Sequence, residues 1–202
     1  IVRSHPDVDM LNLTPTDGFQ YCECDGCKAL DEAGVPDDQR YSRRQMYLYN
    51  RVAEELDRIL PGRTIMVGAY HFFTWPPADE SMQAHEALAV SICHYEAYCL
   101  AHPIADPNCP PNGRFRELLS RWKRHTADVY VYEYYHKANW LGLPWPIVHT
   151  VAVDIPFLKQ QGIRGLYTQY SPRYAWNNFL PMYIAAELLF DHAADVAAIL
   201  EE

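Results

Sequence analysis

The sequence has no apolar run of about 18 residues, so it offers no membrane-spanning helix. It has no basic block: 17 Lys and Arg stand against 26 Asp and Glu, a formal net charge of −9. That balance argues against nucleic acid or an anionic membrane as a partner. No internal repeat and no low-complexity segment is present. No compact His-x-x-x-His or similar motif appears, which ranks a zinc hydrolase last among the enzyme classes. No signal peptide is visible, and the chain opens on Ile1 rather than Met, so we expect an N-terminal part to be missing.

What remains is an ordinary globular composition. Of 202 residues, 49% are apolar and 21% charged, enough for one core and a single domain over 1–202. Five short apolar runs read as strands: 8–14, 64–70, 89–94, 128–134 and 163–168. Helical spacing fills the intervals, with Ser42 read as an N-cap and Pro61-Gly62 as a stop. Further helices are expected over 114–125, 151–161, 177–189 and 193–201. Alternating helices and continuous apolar strands argue for a parallel sheet covered on both faces.

The loops differ by direction. Helix-to-strand turns are short (Pro61-Gly62-Arg63, Thr126-Ala127, Gly162), while strand-to-helix loops are long and aromatic. A (β/α)8 TIM barrel shows that asymmetry, with its active site at the C-terminal ends of the strands. Eight strands close such a barrel and five are counted here. The expected fold class is therefore α/β, the C-terminal part of a TIM barrel, with a compact open α/β sheet as the alternative.

The residues that carry chemistry cluster after those strands. Asp17, Glu96 and Glu133 are the acids at strand ends. Glycoside hydrolysis needs two carboxyl groups flanking one bond, and Asp17 with Glu133 is the expected catalytic pair. Asp17 otherwise caps a turn, and Glu96 otherwise sits in solvent. If Tyr130, Tyr132 and Tyr134 share one face of their strand, Glu133 lies on the other with Val131.

His71, His94 and His136 each follow a strand, as do Tyr70, Tyr134 and Gln169. They are candidate hydrogen-bonding groups to sugar hydroxyls. Trp75, Trp140 and Trp145 are candidate sugar platforms, or else packing groups of their loops.

Six cysteines lean toward an oxidising compartment or a zinc site. Cys22, Cys24 and Cys27 have spacing that suits zinc, with Cys99, His102 or Cys109 as a fourth ligand. Disulfides, Cys99–Cys109 among them, are the alternative. No cofactor is expected for catalysis; a structural zinc is the one candidate.

Four local patterns occur in order along the chain. They are Tyr21-Cys22-Glu23-Cys24-Asp25-Gly26-Cys27 after Asp17, Ala69-Tyr70 before Pro76-Pro77, Cys99-Leu100-Ala101-His102-Pro103 before Asp106-Pro107-Asn108-Cys109, and Leu143-Pro144-Trp145-Pro146 before Gly162-Ile163-Arg164-Gly165. In these the chain resembles bacterial proteins grouped as domain of unknown function 4838, which look like relatives of α-glucuronidases and hexosaminidase-type glycoside hydrolases. The resemblance implies a secreted, periplasmic or cell-surface hydrolase acting on a glycan that carries uronic acid or amino sugar. Where the family pattern has Phe-Glu-Gln-Gly, this chain has Tyr167-Thr168-Gln169-Tyr170 and lacks the acid. A non-catalytic carbohydrate-binding barrel is the resulting alternative.

Overall fold

Five strands form one sheet in the order β1-β2-β3-β4-β5, each beside its chain predecessor. The computed structural model describes residues 7–15, 18, 21–95, 99–135, 143–170 and 176–201. The strands are β1 (Met10–Asn12), β2 (Thr64–Ala69), β3 (Leu88–Cys93), β4 (Val129–Glu133) and β5 (Gly165–Thr168). Pairing is parallel for β1 with β2, β2 with β3, and β4 with β5. Val90 N–H donates to Asp128 O and His94 N–H to Tyr132 O. This is a mixed α/β chain with an all-parallel sheet, an order compatible with part of a barrel.

The helices are α1 (Asp25–Lys28), α2 (Ser42–Ile59), α3 (Pro110–Trp122), α4 (Val148–Gln160), α5 (Phe179–Phe190) and α6 (Val196–Glu201). The chain divides into two compact units: residues 1–93 with 119–129, and residues 94–118 with 130–202.

In the first unit, β2 (TIMVGA) and β3 (LAVSIC) are buried almost throughout, as continuous apolar runs require. α2 lays Met46, Tyr49 and Ala53 into this core, one apolar stripe at helical spacing. Ser42 is the first helical residue rather than the cap. Its hydroxyl donates to Trp75 O at 2.5 Å, which ties the start of α2 to the loop after β2. β1 is shorter than the expected 8–14, although Leu13 N–H extends the ladder to Met66 O.

In the second unit, Leu100, Tyr135, Ile147, Val151, Ile155, Ile184, Ala185 and Leu188 form one core. α4 ends in a Schellman turn: Ile163 N–H reaches Leu158 O, Gly162 N–H reaches Lys159 O, and Gly162 takes φ 78°. α3 begins at Pro110, four residues before the expected helix start. Two prolines suit a first turn, whose N–H groups have no intrahelical acceptor. α5 is apolar nearly all round; Phe179, Tyr183 and Phe190 remain exposed along it, as does Trp176 three residues before its start. Phe179 and Tyr183 stack at 6.0 Å, with Trp176 6.4 Å beyond.

Candidate functional site

The first residue after each of β2, β3, β4 and β5 is Tyr70, His94, Tyr134 and Gln169 respectively. In a parallel sheet all strand C-termini share one edge, and these residues stand on it. Two chemically distinct faces meet there in the second unit.

β4 alternates strictly: Val129, Val131 and Glu133 are buried, while Tyr130 and Tyr132 are half-buried. Glu133 therefore shares the Val131 face, turned away from the tyrosines. On that face it is wholly buried and holds His94, with Nδ1 to Oε1 at 2.7 Å. The other carboxylate oxygen accepts Tyr134 N–H at 3.2 Å. The His94 ring stacks on Phe115 of α3 at 3.8 Å, which fixes its plane.

A third buried group completes the cluster. Asp154 of α4 is 1% exposed, and its Oδ1 accepts Ile104 N–H at 2.6 Å. Its Oδ2 is buried and has no hydrogen-bond partner among the described residues. Burial pushes the Asp154 carboxyl up to about 7, Glu133 adds to the rise, and the Ile104 N–H and His94 oppose it. Two carboxyl groups and an imidazole thus share one dry layer, with a proton held near neutrality.

Asp154 was not singled out from sequence. Its signal was present, since Val151, Asp154, Ile155 and Leu158 lie on one helical face and only one of them is charged. An acid in an apolar stripe needs a partner.

The opposite face is aromatic. Tyr132 lies 4.9 Å from Tyr134 and 4.8 Å from Tyr167 of β5, and Tyr95 lies 5.3 Å from Tyr134. Tyr95 and Tyr167 are 39% and 42% exposed. The side chain of Tyr130 crosses Gly165, where a β-carbon would meet its ring at 2.8 Å. Glycine is the residue that lets this ring lie across β5. Thr168 accepts Tyr135 N–H on its hydroxyl at 3.0 Å. Trp145 packs against the core of the second unit and, with Leu143, Pro144 and Pro146, lines a hollow of about 330 Å³.

In the first unit, Tyr70 and His71 bring their rings to 3.7 Å. His71 takes φ 51°, the left-handed region, at the start of a short 3-10 turn (His71–Phe73). Trp75 is a packing group: it is 8% exposed, donates Nε1–H to Asp38 at 2.8 Å and carries Arg121 over its ring.

Cys22, Cys24 and Cys27 bring their sulfurs within 4.8 Å of one another. Cys109 belongs to the second unit, where it is buried with its thiol against Cys99; burial, then that neighbour, raises it. The structure gives these as free thiols. His102 is bonded to Asp106 at 3.0 Å. Asp17, Glu96, His136 and Trp140 lie outside the described residues. The structure thus brings Glu133, His94 and Tyr134 together, and separately Tyr70 with His71.

The family described as "Domain of unknown function (DUF4838)" matches residues 1–202. No curated protein and no solved structure matches the chain.

Proposed function

Given that the chain belongs to the family described as domain of unknown function 4838, we propose that it is part of a glycoside hydrolase-like TIM barrel that holds a glycan on the tyrosine face of β4 and β5. The observation that carries this reading is the gathering of Tyr95, Tyr132, Tyr134 and Tyr167 at the C-terminal ends of parallel strands. Flat rings with hydroxyl tips match the C–H face and the hydroxyls of a pyranose at once. Strand C-termini are also where barrel enzymes place substrate.

Glu133 serves this face from behind. Its carboxylate fixes His94 and the Tyr134 N–H, so it sets the start of the loop after β4. The expected catalytic pairing of Glu133 with Asp17, on a substrate bearing uronic acid or amino sugar, would need Glu133 to reach that face, from which its burial separates it.

A second reading is a barrel that binds glycan without cleaving it. Two observations favour it: Glu133 is fully buried on the side away from the tyrosines, and a threonine occupies position 168.

The test is a panel of uronic-acid and amino-sugar glycans, read by calorimetry for binding and by reducing-end release for cleavage. Tyr167→Ala and Tyr132→Ala are expected to weaken binding at least about 10-fold, and the Phe variants to keep most of it. Cleavage lost in Asp17→Asn supports the hydrolase; binding with no cleavage supports the second reading. Full affinity in both Ala variants would overturn the tyrosine-face assignment.

A further inference from the structure

We infer that Cys22, Cys24 and Cys27 form a three-thiolate site for a thiophilic divalent cation, Zn²⁺ being the expected occupant. The geometry comes first. The Cys22 and Cys24 sulfurs are 3.4 Å apart, and all three sulfurs fall within 4.8 Å of one another. Sulfurs bound to one zinc at about 2.3 Å in a tetrahedron lie about 3.8 Å apart. The 3.4 Å pair lies just inside that value and no pair exceeds it by more than about 1 Å, so side-chain motions of at most about 1 Å close the site. Among the described residues this is the only group of three or more His, Cys, Asp or Glu with that convergence.

The backbone prepares it. α1 opens at Asp25, so the chain turns sharply between Cys24 and Cys27, and backbone N–H groups of Cys27 and Gly26 point at the Cys24 sulfur. A cation bound there replaces the thiol protons and releases them to solvent.

The loop is also anchored. Arg44 of α2 donates to Cys22 O at 2.8 Å and pairs with both oxygens of Asp31 at 2.9 and 2.6 Å. Its guanidinium lies over Tyr41 at 4.7 Å. Arg44 and Asp31 are mostly buried, at 12% and 20% side-chain exposure, so this brace is held more firmly than a surface pair. Three thiolates and one divalent ion carry a net charge of −1. Three protein ligands leave one tetrahedral position for a non-thiol donor.

The test uses the full chain, reduced and then dialysed against buffered Zn²⁺ or Co²⁺. One equivalent of metal is expected by elemental analysis, and the Co²⁺ form is expected to show sulfur-to-cobalt charge-transfer absorption with a tetrahedral visible band. Cys22→Ser, Cys24→Ser and Cys27→Ser should each weaken Zn²⁺ binding at least 10-fold, with Cys93→Ser unchanged. Alkylation mapped by mass spectrometry on the wild type keeps the test independent of variant folding. Zinc should protect Cys22, Cys24 and Cys27 and leave the rates at Cys93 and Cys99 unchanged. Less than about 0.1 equivalent of metal on the reduced protein, or equal alkylation of the cluster with and without zinc, would overturn the site.

Discussion

His94 Nδ1 sits 2.7 Å from Glu133 Oε1, and neither side chain reaches solvent. The ring is clamped by Phe115 and the carboxylate also takes the Tyr134 N–H. Removing one member strands the other in a dry layer. His94→Ala and Glu133→Ala are each expected to cost on the order of 3–5 kcal/mol. The double variant should cost clearly less than their sum, by at least about 1 kcal/mol in a urea-denaturation cycle. Additive losses would mean the two residues act independently.

Asp154 sets a pH dependence of stability. Its carboxyl titrates near 7 in the folded chain and near 3.8 when unfolded. Between those values the folded state keeps a proton that the unfolded state has released. Stability is therefore expected to fall as pH rises from about 4 to 7 and to level off above, by on the order of 3–4 kcal/mol in all. Asp154→Asn should remove this slope, because the amide has no charge to bury. The check is the urea midpoint of both proteins at pH 5 and pH 8; parallel curves would contradict the assignment.

His71 holds a left-handed backbone with φ 51°. That conformation costs a non-glycine residue about 1 kcal/mol or more. His71→Gly should raise stability by up to about 1 kcal/mol, and the β-branched His71→Val should lower it by at least as much. Thermal melts of the two variants decide the point. If His71 contacts a glycan beside Tyr70, the more stable glycine variant binds it less tightly.

Gly165 is where β5 yields to the Tyr130 ring. Gly165→Ala places a methyl group 2.8 Å from that ring and is expected to cost about 1–3 kcal/mol. The cost should shrink when Tyr130 is also truncated to Ala. Equal costs in the two backgrounds would show that the backbone, not the ring, is what resists.

The sheet was legible because β2 and β3 are unbroken apolar runs and because glycines end α2 and α4. All five strands fall within the stretches that pattern marked, give or take a residue. Ends were less legible. Pro110-Pro111 looks like loop chemistry yet starts a helix, and Ser42 looks like a cap yet points its hydroxyl at a carbonyl 33 residues away. Long-range partners of that kind leave no local trace. The alternation that set Glu133 opposite Tyr132 could be read from β4 alone. Its meeting with His94, and the approach of a third acid from α4, are long-range contacts that leave no local trace. The turns at Asp25–Lys28 and His71–Phe73 are too short for any periodicity to show.

The aromatic ladder on α5 has a practical consequence. Phe190 and Trp176 stand 93% and 90% exposed, with Phe179 and Tyr183 stacked nearby. In dilute buffer, residues 1–202 produced alone should be sticky, eluting ahead of a 23.4 kDa standard and scattering light more as concentration rises. Trp176→Ser with Phe190→Ser should restore a concentration-independent elution volume. Crystallisation and binding trials are therefore best begun with that pair of serines in place.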